Sequence, residues 1–323
     1  MIPIRDTVPS KNHPVVTLTI IAINVVVFIF QVAQGPYQER FIYLFGLVPA
    51  RYSIPHVASY FTLGQQVFAF FSYMFLHGGI FHLLGNMWSL YIFGDNVEDR
   101  MGSVRYLIFY FLCGTASGVT HLLLNAHSNI PTIGASGAIA GVMGAYFILY
   151  PTAKILTLIP IVFIPLFFEI PAFFFLGVWF LIQFLSAAGS GSMGGGIAWW
   201  AHVGGFVSGM IFLKLFLWVP TTGITEQMRK VTVKKTTDRL RVLHPQRTEE
   251  DPNLYGTLGI TPYEAIAGTE KIVTLPGGFQ QRRMFKVKVP PGVLRGTTLR
   301  LAGAGKLLSD GTRGDLLLQV DIL

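Results

Sequence analysis

Ser136 stands in Gly134-Ala135-Ser136-Gly137, and His202 in Trp199-Trp200-Ala201-His202-Val203-Gly204-Gly205. Each opens an apolar run that reads as a membrane span, where a polar side chain is costly and leans towards function. A serine hydroxyl is a weak nucleophile until a neighbouring base takes its proton, and histidine titrates in the right range for that task. A third run adds His77, His82 and Asn86. His82 and Asn86 are four residues apart, share one face of a helix, and can both donate hydrogen bonds to the oxyanion of a tetrahedral intermediate. These residue types in this setting point to peptide-bond hydrolysis inside a membrane.

Helices must position them. The chain has 323 residues, 52% of them hydrophobic, with a mean hydropathy of +0.55, more than a soluble domain needs. A bilayer core takes about 20 apolar helical residues. Six stretches approach that length: Val15–Ala33, Phe70–Phe93, Val104–Leu124, Ile133–Tyr150, Pro171–Ala187 and Ala198–Val219. The apolar run Ile155–Ile170 is interrupted by Pro160 and Pro165 and reads as an extended or interfacial stretch, with a seventh span as the alternative. Residues 1–219 hold only eight Lys and Arg, against sixteen in residues 220–323, so +6 of the formal +8 lies in the tail. That shift divides the chain into a six-span domain over 1–219, a basic linker over 220–250 and a further domain over 251–323.

Arg100 with Arg105, then Lys154, then the basic tail fall on one side if six helices alternate. Residues 125–131 and 188–196 carry no Lys or Arg and fall on the other. The positive-inside rule then puts both termini in the cytoplasm, in a multi-pass protein expected in a bacterial inner membrane. Arg40 and Arg51, in the long first loop, run against the rule. In this orientation the second, fourth and sixth spans all enter from outside. His77, His82, Ser136 and His202 then converge near the outer leaflet, with Asn86 a turn deeper at 1.5 Å rise per residue.

Gly137-x3-Gly141 and Ala201-x3-Gly205-x3-Gly209 supply the small residues that let two helix backbones approach in lipid, which would bring Ser136 to His202. No acidic side chain is available at that depth, so the expected pair is a Ser–His dyad. Ser136 lies near a helix N-terminus, where backbone N–H groups favour negative charge. The small-residue segment 186–196 could admit water. Taken one at a time, a serine in a span usually bonds its own helix and a lone histidine usually meets a neighbour; it is the convergence that favours catalysis. His77 and His82 lie roughly 140° apart around a helix, a poor metal pair. No metal or cofactor is expected. His121 and His127 read as interfacial loop residues.

His77-x4-His82-x3-Asn86, Gly134-Ala135-Ser136-Gly137 and Ala201-His202-Val203-Gly204-Gly205-x3-Gly209 together resemble the rhomboid family of intramembrane serine proteases. The resemblance covers roughly residues 10–219. It implies Ser136 as nucleophile, His202 as general base and acid, and His82 with Asn86 as oxyanion donors. Gly134 and Gly137 support the serine, His77 holds the loop over the site, and the fifth span is a lateral gate. Two positions depart from the pattern. Phe68-Ala69 stands where many rhomboids have Trp-Arg, and Ala140 where some have a tyrosine that stacks on the histidine.

The tail reads differently. Lys230, Lys234, Lys235, Arg239 and Arg241 suit a solvated tether near anionic lipid. After Leu254, Lys271–Leu275, Met284–Val289, Thr297–Leu301 and Asp315–Ile322 alternate as strands, separated by turns such as Pro290-Pro291-Gly292. A small all-β sandwich fits. Thr261-Pro262-Tyr263-Glu264-Ala265-x2-Gly268-Thr269, Val287-x-Val289-Pro290-Pro291-Gly292, Leu299-Arg300-Leu301-x-Gly303-x-Gly305 and Gly311-x2-Gly314-Asp315-Leu316 resemble the C-terminal substrate-binding β-domain of DnaJ-type co-chaperones. No His-Pro-Asp and no Cys-rich zinc region accompany it, so stimulation of a chaperone ATPase is not implied. Peptide clients or self-association are its two readings.

The expected function is therefore cleavage of transmembrane-helix substrates, single-span or multi-span, near the outer leaflet. The rival is a non-catalytic rhomboid-like adaptor that binds client helices, although such relatives typically lack the serine or the histidine. A transporter is disfavoured because no internal repeat is visible. Lipids are expected partners. Nucleic acid is not, since the basic charge is juxtamembrane and no nucleic-acid-binding motif occurs. The single Cys113 excludes an intrachain disulfide.

Overall fold

The computed structural model describes residues 1–323 except 9, 162–163, 190–197, 220–222, 224, 226, 228–231, 233–239, 243–250, 276–282, 308–310 and 323. The chain forms two compact units, Met1–Val233 and Lys234–Leu323.

The first unit opens with a strand, β1 (Ile2–Asp6), then α1 (Val15–Val32), the short first-loop helices α2 (Gln38–Phe45), α3 (Ala50–Ser53) and α4 (Pro55–Ala58), and α5 (Leu63–Ser72). There follow α6 (Ile80–Met101), α7 (Ser103–Leu124), α8 (Ser136–Leu149), the strands β2 (Lys154–Ile161) and β3 (Ile164–Pro171), α9 (Ala172–Gly189) and α10 (Trp199–Trp218). Among the described residues α1, α7, α9 and α10 are each long and apolar enough to cross a membrane. Their polarity is arranged for lipid. Helix α1 buries Thr17, Asn24 and Gln31 while Val26, Ile29 and Phe30 stay about 60% exposed. No side chain at Pro14 caps α1. Instead Glu98, near the end of α6, accepts from the Val16 and Thr17 N–H groups at 3.0 and 2.8 Å, and from Ser103 Oγ at 2.7 Å. A carboxylate there satisfies the orphan donors of the first turn and complements its dipole.

Two expectations need correction. The stretch Phe70–Phe93 is not one helix. It breaks after α5, and α6 resumes with a bend of 81° between them. Gly78-Gly79, weak helix formers, lie in the break, so His77 sits in a loop and not inside a span. The fourth helix is also shorter than the run Ile133–Tyr150, because residues 133–135 form a loop and α8 keeps only 14 residues. At 1.5 Å per residue that is about 21 Å, well short of a hydrocarbon core of about 30 Å.

The run Ile155–Ile170 is extended, as β2 and β3 pair antiparallel from Lys154↔Pro171 to Ile161↔Ile164. β1 joins the other edge of β2, giving the order β1-β2-β3. The strand role of Ile2–Asp6 was not foreseen.

In the second unit, β4 (Leu240–Val242), β6 (Thr269–Leu275) and β7 (Arg283–Val289) form one sheet in the order β4-β6-β7, while β5 (Leu254–Ile260), β8 (Thr298–Leu301) and β9 (Leu316–Ile322) form another in the order β5-β9-β8. A short helix, α11 (Pro262–Ala267), is opened by a capping box between Thr261 and Glu264. Val273, Leu275, Val287 and Val289 from one sheet and Leu258, Leu316, Leu318 and Val320 from the other share a single core. Lys271 is buried and bonded to Glu264. Leu240–Val242, expected in the tether, pairs in parallel with β6 instead; Lys230, Lys234, Lys235 and Arg239 lie outside the described residues.

Candidate active site

Ser136 is the first residue of α8 and His202 lies in the first turn of α10. The two helices meet backbone to backbone at two glycines of α10. A Cβ on Gly205 would stand 2.1 Å from the Gly137 carbonyl oxygen, and one on Gly209 would stand 2.0 Å from that of Gly141. Only glycine at these positions permits such an approach. It brings His202 Nε2 to 2.8 Å from Ser136 Oγ. Both residues are half-buried.

The loop before Ser136 is tied down from several sides. Leu47 and Thr132 exchange two backbone hydrogen bonds of 3.0 and 2.8 Å, and Gly134 N–H donates to the Tyr73 carbonyl at 2.9 Å. Gly134 has a φ of +123°, a backbone region that L side chains rarely adopt. A Cβ there would also meet the His82 ring at 2.9 Å. The same point lies 3.0 Å from His82 Nε2 and 3.6 Å from Ser136 Oγ, so the imidazole and the hydroxyl face one small volume. Gly137 is required as well, because its Cβ would overlap Ser117 Oγ at 2.0 Å. Ser117 in turn donates to the Ala201 carbonyl at 2.7 Å, fixing α10 immediately before His202.

His82 and Asn86 occupy successive turns of α6. His82 is exposed, and its Nδ1 accepts from the Gly78 N–H at 3.2 Å. An accepting Nδ1 leaves the ring proton on Nε2, the atom that faces Gly134. Asn86 is buried, and its Nδ2 bonds no protein atom among the described residues. A buried amide donor left open in this way is suited to an incoming acceptor. His77 is fully buried against the edge of His82, with centroids 5.1 Å apart, and neither of its ring nitrogens makes a well-formed hydrogen bond among the described residues. It is the His77 main chain that is held: Gln31 Nε2 donates to its carbonyl at 2.7 Å, and its N–H donates to Gln31 Oε1 at 3.1 Å.

Four further residues shape the site and were not expected. Gln31 anchors the His77 loop to α1. His121, expected in a loop, is buried in α7, where Nε2 lies 2.7 Å from Thr132 Oγ1 and steadies the approach to Ser136. Gln183 of α9 places Oε1 2.7 Å from His202 Nδ1. Trp179, one turn earlier on α9, lies 6.0 Å from the His202 ring at 34°. Their common signal in the sequence was a lone polar group or a tryptophan inside an apolar run. In the first loop Arg51 is fully buried, donates to the Leu44 carbonyl at 3.0 Å and stacks 3.7 Å over Phe61. It is an internal arginine anchor in a chain whose Phe68-Ala69 lacks one. The 186–196 segment falls largely outside the described residues. No cluster of metal-ligating side chains occurs among the described residues.

Residues 64–219, which contain Ser136, His202, His77, His82, Asn86 and Gln183, match the model of the rhomboid domain. The chain carries a rhomboid domain. Residues 255–323 match the model of the DnaJ C terminal domain. The protein is 29% identical over 172 residues to RHOMBOID-like protein 1 of Arabidopsis thaliana, covering 50% of this chain and 38% of the relative. It is 26% identical over 212 residues to the mitochondrial Rhomboid protein 1 of Saccharomyces cerevisiae, covering 62% and 54%. The tail is 40% identical over 80 residues to Chaperone protein DnaJ 1 of Streptomyces avermitilis, covering 24% and 19%. The chain thus spans about half or less of the length of these relatives. It is a multi-pass integral membrane protein: a helical rhomboid domain followed by β-sheets of DnaJ C-terminal type.

Proposed function

We propose that the protein is an intramembrane serine endopeptidase acting through Ser136 and His202. The observation that carries this is the 2.8 Å contact from Ser136 Oγ to His202 Nε2. In the proposed reaction Oγ attacks the scissile carbonyl carbon as its proton passes to Nε2. The carbonyl oxygen becomes an oxyanion and accepts from His82 Nε2–H, Asn86 Nδ2–H and the N-terminus of α8. Collapse breaks the C–N bond, and the leaving amine takes the proton from Nε2. Water then hydrolyses the acyl ester with the same base. Substrates would be transmembrane helices, single-span or multi-span, entering from the lipid.

The proposed orientation keeps both termini at the cytoplasmic face and the dyad near the outer leaflet, from the distribution of Arg100, Arg105, Lys154 and the tail charges. The rhomboid-like relatives above come from a plant and from yeast mitochondria. They lend no support to the expected bacterial inner membrane, so the proposal leaves the compartment open. We further propose a six-span domain over 1–219, then a basic linker and a β-domain that takes in β4 (Leu240–Val242) as well as 251–323 and recruits cytoplasmic segments of clients.

The test is incubation of detergent-purified protein with a panel of single-span substrates and mass mapping of the products. Site-specific cleavage lost in Ser136→Ala, together with loss of fluorophosphonate labelling, is the expected result. The adaptor reading has one finding in its favour: Inactive RHOMBOID-like protein 8 of Arabidopsis thaliana is 32% identical over 84 residues. Client binding without any cleavage would favour it.

A further inference from the structure

If Ser136 and His202 are the catalytic pair, His202 must hold its proton on Nδ1 and leave Nε2 open to the serine. Nothing on α8 or α10 arranges that. The 2.7 Å contact to Nδ1 comes from Gln183 Oε1, on α9. An amide oxygen only accepts, so this contact selects the tautomer with Nδ1–H. Gln183 is 6% exposed, while its neighbours Ile182 and Phe184 stand 50% and 43% exposed towards lipid. A lone amide turned inward from an apolar helix is costly unless bonded, and His202 is where it is bonded. Trp179, four residues earlier, lies on the same face of α9 and covers the same ring. Ala140 cannot stack on the histidine, and Trp179 supplies an aromatic from another helix.

We propose that Gln183 is a positioning residue that, from α9, holds His202 in the tautomer and orientation that activate Ser136. It is a neutral counterpart of a triad acid. It fixes the ring as a carboxylate would, but adds no negative charge to offset the imidazolium. The base therefore depends on a helix other than its own: displacing α9 removes both the acceptor at Nδ1 and the aromatic cover.

The experiment compares Gln183→Met, which keeps length and bulk but has no acceptor, with Gln183→Glu, which keeps the acceptor. In Gln183→Met, kcat should fall roughly 10- to 100-fold with KM unchanged, the scale of one lost hydrogen bond and an unpaired buried group. Fluorophosphonate labelling of Ser136 should slow by the same factor. The probe needs the base but not helix entry, which separates positioning from gating. Gln183→Glu should retain cleavage, with the acidic limb of kcat moved to higher pH, because a carboxylate at Nδ1 favours the imidazolium. The other groups facing His202 are Ser136 from α8, His82 from α6 and His121 from α7, and both variants leave them unchanged. Wild-type kcat and labelling in Gln183→Met, or equal impairment in both variants, would overturn the proposal while leaving the proteolytic function standing. Should either variant fail to fold, ¹⁵N NMR of His202 in the intact wild-type chain decides. Nδ1–H supports the proposal, and Nε2–H overturns it. A wild-type Ser136 that takes no label sinks the proteolytic function itself and this proposal with it.

Discussion

Gly205→Ala adds one carbon to the face on which α8 and α10 meet. That carbon would stand 2.1 Å from the Gly137 carbonyl oxygen and 3.3 Å from Ala140 Cβ. The first neighbour is backbone and cannot rotate away. Restoring an ordinary contact of 3.4 Å requires the helices to part by about 1.3 Å. Gly205 is less than one turn from His202, so much of that displacement reaches the dyad. The Nε2 to Oγ distance grows from 2.8 Å towards about 4 Å, beyond hydrogen-bond range. Overpacking of this kind costs about 1–3 kcal/mol of stability, which a bundle can survive. A misplacement of about 1 Å at reacting groups can cost about 100-fold in rate. The expected outcome is a folded protein with kcat down about 100-fold or more and fluorophosphonate labelling slowed in parallel. Gly177→Ala is the control, since its Cβ would meet nothing closer than 4.0 Å. Thermal unfolding in detergent and product formation are measured side by side. Near-wild-type turnover in a folded Gly205→Ala protein would refute the idea that backbone contact between α8 and α10 sets the dyad distance.

Four further outcomes are expected. Ser136→Ala and His202→Ala should be equally inactive and the double variant no worse than either, because residues acting as one unit do not add; multiplicative losses would separate their roles. Asn86→Ala should lower kcat by up to about 100-fold, the low end for an oxyanion donor, and a raised KM with unchanged kcat would mean that it binds substrate instead. Asp6, which accepts from Tyr146 OH at 2.6 Å, is pushed above the usual carboxylate range by burial, an effect its hydrogen bonds only partly offset. Its folded-state stabilisation is present below the unfolded value of about 3.9 and is lost as pH rises through the raised one. Asp6→Asn should therefore flatten the fall in Tm between the unfolded value and the raised one, and an unchanged Tm profile would show that Asp6 titrates normally. Removal of residues 221–323 should leave cleavage of a short transmembrane peptide intact while weakening that of a full-length client; loss of both in a folded protein would make the tail part of the catalytic unit.

Hydropathy alone placed α1, α7, α9 and α10 to within two residues at either end, because a bilayer demands length and apolarity, both of them local properties. Residue type singled out Ser136, His202, His82 and Asn86 for the same reason: a polar group in lipid needs a purpose or a partner. The small residues of α8 and α10 also named the helix pair that would meet. What the chain order did not disclose was every feature that depends on which way a helix faces. Helix α9 is apolar on all sides, so nothing in its pattern said that Gln183 points inward, and the absence of an acidic residue at that depth says nothing of a neutral partner for His202. Gln31 and His121 were passed over likewise, since their partners lie 46 and 11 residues away. The break at Gly78-Gly79 was hidden because an apolar run continues through it. The glycine pair permits a break there, and tertiary packing fixes it, with Gln31 bonding the His77 backbone on both sides.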